Sequence, residues 1–153
     1  MPYGYNGKIL RVNLSLRTTS VEELDELFCR KYLGGAGFII YYLLKELGTA
    51  VDALSPQNKL IFAAGPVTGV PLSGSGRHCV GAKSPLTGGF AKSEVGGFWG
   101  AELKHTGYDG IIIDGKAETP VYLWINDGEA SLRNARHIWG MNTKETQETL
   151  RSE

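Results

Sequence analysis

An α+β fold, rich in β-structure, with mixed sheets and two to three packed helices, is what this 153-residue sequence predicts. Three observations carry the prediction. Short runs with strand character recur along the chain, two longer blocks have helical spacing, and glycine or Asp-Gly pairs separate the elements.

The first run, "GKILRVNL", puts Leu10, Val12 and Leu14 on one face and Ile9, Arg11 and Asn13 on the other, the alternation of a half-buried strand. In "SVEELDELFCRKYLGG", Ser20 stands three residues before Glu23, the spacing of a capping box. Leu24, Leu27, Phe28 and Tyr32 follow at helical intervals until Gly34 and Gly35. A helix over about 21–33 follows, with Cys29 as a packing residue beside its apolar stripe. "AGFIIYYLLKELG" is apolar almost all round, so the spacing predicts a buried helix over about 37–47 that stops at Gly48, with Tyr41 and Tyr42 packed in the core.

"NKLIFAAG" reads as a buried strand, "DGIIIDG" as another, and "PVYLWINDGEASLRN" as a hairpin turning at Asp127 and Gly128. Trp124 and Trp139 are expected in the core. A last helix starts at Asn142 or Thr143 with little apolar content. Between these elements the texture changes: ten of the 21 glycines fall between Gly65 and Gly100. Glycine at that density signals left-handed backbone or close approach by something bulky, although bulges and sheet corners use it too.

Composition narrows the function. Sixteen basic residues balance sixteen acidic ones, so no global field draws in nucleic acid or an anionic membrane, and any anion site is local. The longest apolar run is too short to span a bilayer and the N-terminus lacks signal-peptide character, so a cytoplasmic location is expected. Cys29 and Cys79 lack metal-ligand spacing, as do His78, His105 and His137. "GAKS" fails the P-loop pattern because Ala82 separates Gly81 from Lys83. The dinucleotide pattern after Gly74 and Gly76 meets Cys79 where it needs glycine. Cys79 and His78 are strand neighbours that point to opposite faces, which weakens any thiol–imidazole pair. What remains is "PLSGSGRHCVGAKSPLTGGF": glycine turns whose N–H groups can cradle an anion, beside the fork-shaped donor Arg77. Composition leaves a plain edge strand starting at Arg77 equally open.

The chain resembles the N-terminal domain of the tungsten-containing aldehyde ferredoxin oxidoreductase family. The resemblance rests on "GYNGKILRVNLS", "YLGGAGF", "LSPQNKLIFAAGPVTG", "GSGR", "AKSPLTGG", "GGFWGAELKHTGYDGIIIDGKAETPVYLWI" and "IWG", in that order. It implies that residues 1–153 are an incomplete N-terminal tungstopterin-binding domain, whose family members carry a tungsten bis-pterin here and [4Fe-4S] cysteines in later domains. By the resemblance, Arg77 contacts the pterin on the route to the cluster and Gly96 brings its backbone against it. The main-chain carbonyl of Glu94 helps hold the magnesium that bridges the two pterin phosphates. The family often has Asn at position 94, and Arg where this chain has Ala36. Gly74, Gly76 and Gly97 are expected to permit close approach. The family's dithiolene sulfurs would bind the metal, tungsten or molybdenum, without protein ligands.

The implied reaction oxidises an aldehyde to a carboxylic acid with ferredoxin as acceptor. The remaining domains complete the enzyme, and the isolated chain is expected to be inactive. A non-catalytic module or assembly subunit that binds a partner chain, and a family member acting on a non-aldehyde substrate, are the alternatives. Exposed apolar surface is expected to favour a homo-oligomer.

Overall fold

A computed structural model describes residues 4–153. Its elements are β1 (Lys8–Asn13), β2 (Thr18–Glu23), α1 (Glu26–Tyr32), α2 (Ala36–Glu46), β3 (Leu60–Ala64), β4 (His78–Lys83), β5 (Phe90–Val95), α3 (Trp99–His105), β6 (Gly110–Asp114), β7 (Val121–Asn126), β8 (Glu129–Asn134) and α4 (Thr143–Ser152). Six strands form one sheet in the order β2-β1-β6-β3-β4-β5, and β7 and β8 form a separate two-stranded sheet. Among the described residues only the β1–β6 pair is parallel; Ile9 sits opposite Gly110 and Asn13 opposite Asp114. The sheet is therefore mixed, as the fold class requires.

Alternation along the strands divides the interior into two layers. On one face Ile9, Ile61, Ala63 and Ile112 pack against Phe38, Ile39 and Tyr42 of α2. On the other, Leu10, Val12 and Ile111 pack against Leu103 of α3 and against Leu123, Ile125 and Leu132 of the hairpin. β1 is thus buried on both faces, with Ile9 and Leu10 each 1% exposed. The half-buried reading of its alternation missed the second layer.

The first helix starts later than its sequence spacing predicts. Ser20 lies inside β2, where β-branched Thr18, Thr19 and Val21 pair with β1, and Asp25 caps α1 by accepting a 2.6 Å hydrogen bond from the Phe28 N–H. Cys29 is buried, but Leu27 faces solvent at 75% exposure. α2 matches its predicted bounds closely, except that it ends at an extended Leu47 whose N–H bonds the Leu43 carbonyl, before Gly48 is reached; it is buried on one face only, since Leu44 is 79% and Ile40 39% exposed. Tyr42 is fully buried and its hydroxyl donates to Glu22, so the packing reading of that tyrosine holds.

The hairpin turn has left-handed backbone at both Asp127 (φ 47) and Gly128 (φ 82), the conformation that a two-residue turn between twisted strands demands. Trp124 is half-buried beneath the Arg133 guanidinium, 4.2 Å from the ring centre. Trp139, expected in the core, is 74% exposed, while its neighbour Ile138, 8% exposed, takes the inward position in the segment after β8. α4 is a fourth helix, closed by the Asn142–Glu145 capping box, with no buried residue.

Two polar clusters tie the layers together. Arg11 donates to Glu22 and Glu46, and Lys59 bridges Glu46 and Asp114 across the α2 face of the sheet. Asp109, 1% exposed, accepts from the Asn6 and Gly7 N–H groups and from Lys104, which fixes the entry to β1 against α3 and β6.

Candidate cofactor-binding site

The glycine-rich segment, left without elements by its spacing, contains β4, β5 and α3. β5 is an edge strand whose six residues are all exposed. Arg77 is the last residue before β4, at the end of the sheet where the loops 65–77 and 96–98 meet. Thr68, 6% exposed, clasps the loops: its hydroxyl donates to the Arg77 carbonyl at 2.8 Å and accepts from the Gly65 N–H at 2.9 Å. The backbone of Arg77 is thereby fixed. Its side chain is exposed and, among the described residues, makes no hydrogen bond or ion pair. A guanidinium held at its root and free at its tip suits an external anion.

Beside it is a depression of about 290 Å³ whose lining includes Gly34, Gly35, Arg77, His78, Cys79 and Glu94. Register brings the last two together, since Cys79 on β4 lies opposite Glu94 on β5. Gly35 is the N-cap of α2, so the positive end of that helix also borders the hollow. The Glu94 side chain pairs with Lys92, which holds its carboxyl below the ordinary value, with Arg77 adding a smaller contribution. The local charge is thus one unpaired cation beside one neutralised pair.

The predicted glycines divide into two kinds. Side chains added at Gly74, Gly96 or Gly97 would meet nothing within 4 Å, so open space stands over their backbone; Gly74 and Gly97 also have left-handed φ of 82° and 95°. Gly76 differs. A Cβ there would collide with the Gly97 carbonyl, so the close approach at Gly76 is between two loops of the chain itself. Sequence reading treated all four alike because bare backbone looks the same whichever partner requires it.

The cysteines are poor nucleophiles. Burial pushes the Cys29 thiol up to about 11, and burial followed by the nearby Glu94 charge raises Cys79. His105 and His137 lie elsewhere and are exposed, the latter against Glu153. His78 is 6% exposed and stacks on Trp99 with ring centres 4.5 Å apart. Its Nδ1 is the one buried side-chain polar atom left without a partner among the described residues.

Sequence reading also missed Gly34, Gly35 and Thr68 as parts of this site. Gly34 and Gly35 registered as a helix stop and as part of the "YLGGAGF" block, not as site residues, and the sheet order that carries them to Arg77 has no local signature. A separate apolar depression of about 350 Å³ between α2 and β5 is lined by Leu44, Leu47 and Phe90. Its lysine, Lys83, is engaged by the Thr49 and Val51 carbonyls. Among the described residues no helix is long and apolar enough to cross a membrane.

Exposed cation, open glycine backbone and helix N-terminus together fit a flat anionic group of the pterin kind in donor chemistry and in space. The sequence model of the family described as aldehyde ferredoxin oxidoreductase, N-terminal domain, matches residues 9–153. A tungsten-containing aldehyde ferredoxin oxidoreductase of Pyrococcus furiosus is 52% identical over 151 residues, 99% of this chain and 25% of that protein. From the same organism, an aliphatic sulfonate oxidoreductase, WOR-like subunit, is 42% identical over 154 residues, 99% of this chain and 24% of that one. Among solved structures, the active-site complex BamBC of benzoyl coenzyme A reductase superposes with a TM-score of 0.96 at 39% identity, covering 99% of this chain and 23% of that chain. The chain spans about a quarter of the length of each of these relatives. Sequence and fold agree, and the chain belongs to the aldehyde ferredoxin oxidoreductase family, matching its N-terminal domain.

Proposed function

We propose that this chain is the cofactor-cradling portion of a tungsten bis-pterin oxidoreductase that oxidises aldehydes to carboxylic acids and passes the electrons to ferredoxin. The observation that carries the reading is the free Arg77 guanidinium standing beside the uncovered backbone of Gly96 and Gly97. Arg77 binds the pterin's anionic part. Gly74, Gly96 and Gly97 let its plane approach the main chain, while Gly76 acts one step back by setting the loop crossing that positions Gly97. The Glu94 carbonyl would be one of the groups that hold a magnesium ion bound with the cofactor. Its own carboxylate is paired with Lys92, so it adds no uncompensated negative charge beside an anionic group. When bound, the pterin-held metal supplies the two-electron oxidation chemistry; this chain orients the group and balances its charge.

The [4Fe-4S] cluster, the aldehyde pocket and the ferredoxin contact belong to the rest of the enzyme. On this reading the isolated chain shows no aldehyde-dependent reduction of a redox dye. The setting is cytoplasmic, and copies of the complete protein associate through apolar surface such as that around Leu44 and Leu86, 79% and 92% exposed here.

The test is to express this domain within the polypeptide or complex that carries it and quantify tungsten and molybdenum separately. Arg77→Met should lower the metal bound per protein several-fold while leaving the thermal midpoint unchanged. Full metal occupancy in the variant would sink the assignment of Arg77. A non-aldehyde substrate is the second reading, favoured by the names of two matched proteins, an aliphatic sulfonate oxidoreductase and a benzoyl coenzyme A reductase complex. Product analysis with an aldehyde, a sulfonate and an aromatic thioester separates the two.

A further inference from the structure

The β3–β4 ladder stops at Ala64 opposite His78, so Gly65 and Arg77 are the next residues to face each other. On the other side of β4, the register that pairs His78 with Val95 brings Arg77 next to Gly96. The Gly65 N–H and the Arg77 carbonyl are joined through the Thr68 hydroxyl, which accepts from the first at 2.9 Å and donates to the second at 2.8 Å. Two hydrogen bonds end to end stand where a ladder would place one. Thr68 is itself firmly held. Its N–H bonds the Gly65 carbonyl at 3.2 Å, it is 6% exposed, and a Cβ on Gly100 of α3 would come within 3.1 Å of its methyl. A β-branched side chain packed in this way keeps little rotamer freedom. The loop between the two residues is tied separately, the Gly69 N–H bonding the Ser75 carbonyl and the Ser75 hydroxyl bonding the Val70 carbonyl.

We infer that Thr68 is the positioning residue for Arg77: its hydroxyl is a wedge that keeps the start of β4 parted from β3 and so sets where the guanidinium reaches the anion. The inference rests on the proposed cofactor site and concerns how its cation is placed. Strand alternation puts Arg77 on the same face as Cys79, whose partner across the register is Glu94, and all three line the depression. A hydrogen bond tolerates a displacement of only a few tenths of an ångström, so a root shifted by the width of one oxygen atom spoils the fork-shaped contact. The hydroxyl also draws the Arg77 carbonyl toward the buried side of the loop, which keeps its partial negative charge from the anion. Valine at position 68 would keep the shape and offer neither donor nor acceptor. The Gly65 N–H and the Arg77 carbonyl would then close on each other or stay unpaired, and either outcome moves Arg77.

The experiment is a double-mutant cycle between positions 68 and 77 in the 153-residue chain, with inorganic pyrophosphate titrated calorimetrically as the probe. Arg77→Met should weaken pyrophosphate about tenfold, the worth of a hydrogen bond between charged groups. Thr68→Val should weaken it about fivefold in the parent, the worth of one neutral hydrogen bond, and leave it unchanged when Arg77→Met is already present. Thr68→Ser, which keeps the hydroxyl, should recover most of the affinity. An equal loss from Thr68→Val in both backgrounds, or a serine variant as weak as the valine one, assigns Thr68 to general stability and overturns the inference. Normal binding in Thr68→Val with loss in Arg77→Met also overturns it and leaves the cofactor site standing. Should Thr68→Val fail to fold, the serine variant and the parent decide. The serine variant should bind like the parent, and the parent's Thr68 hydroxyl proton should exchange slowly with water by NMR. A serine variant as weak as Arg77→Met, or a hydroxyl in fast exchange, overturns the inference. Failure of the parent chain to take up pyrophosphate removes the inference together with the cofactor site.

Discussion

The centre of the six-stranded sheet and its β5 edge use the same backbone for opposite purposes. At β1, β6 and β3 both faces are covered, and the interior is filled by Phe38, Ile39, Tyr42 and Ile112, each at most 1% exposed. At β4 and β5 the sheet runs out to an edge strand exposed along its whole length, next to glycines with empty space above them. The covered centre places the open edge: α2, packed on the core, carries Gly34 and Gly35 to the depression, and Thr68 anchors the loop of Arg77. Stability and binding are thus expected to be separable by position, and substitutions can test how far.

The largest effect belongs to the packed centre. Phe38→Ala should cost about 3–5 kcal/mol in urea unfolding, the range for deleting a fully buried ring. A loss below about 1 kcal/mol would break the contrast, since it would mean that the α2 layer is not what holds the sheet. Next comes the same small substitution made at the centre and near the open edge. Gly110→Ala puts a methyl 2.6 Å from the Phe62 carbonyl and 3.0 Å from the Ile9 side chain, between three strands. It should cost roughly 1–3 kcal/mol. Gly76→Ala, which meets the Gly97 carbonyl, should behave like Gly110→Ala although it lies in the site.

A smaller, pH-dependent effect sharpens the comparison further. The Arg11 guanidinium, bonded to Glu46, holds that carboxyl down at about 2 from an ordinary 4.5, with Lys59 assisting. A carboxyl depressed in the folded state binds its proton more readily when unfolded. Its contribution is therefore complete above pH 4.5 and is lost as pH falls toward 2. Glu46→Gln should be less stable than the parent at pH 7, and the gap should close between pH 4.5 and 2 in unfolding curves taken at several pH values. A constant gap would assign the effect to packing. The smallest effect is expected at Gly96→Ala, which meets nothing within 4 Å and should leave stability within about 0.5 kcal/mol. A loss like that at Gly110 would show that the open edge is structurally constrained after all.

Where a residue's neighbours are close in sequence, its structure was legible. α2, the hairpin turn at Asp127 and Gly128, and the Asn142 cap all follow from local spacing. α1 was placed too early because Ser20 and Glu23 satisfy a capping pattern, whereas pairing with β1 draws Thr18–Glu23 into a strand. Trp139 was misplaced for another reason: an aromatic side chain signals burial only if it faces inward, and here Ile138 does so instead. At the site, Arg77 and the glycines stood out through their chemistry. The order β6-β3-β4-β5 that brings Cys79 opposite Glu94, and both beside the start of α2, depends on non-local pairing, which a single sequence does not display.

The parallel pairing of β1 with β6 has a consequence for biosynthesis. Ile9 must wait for Gly110, ~100 residues later in the chain. At ribosomal speeds of about 5–20 residues per second that is a delay of roughly 5–20 s. During it Leu10 and Val12 have only the β2 hairpin for company, and their future neighbours have not left the exit tunnel. The nascent segment is then a natural client for a chaperone that recognises short aliphatic stretches, and closure of the central sheet becomes a late event in the life of the emerging polypeptide.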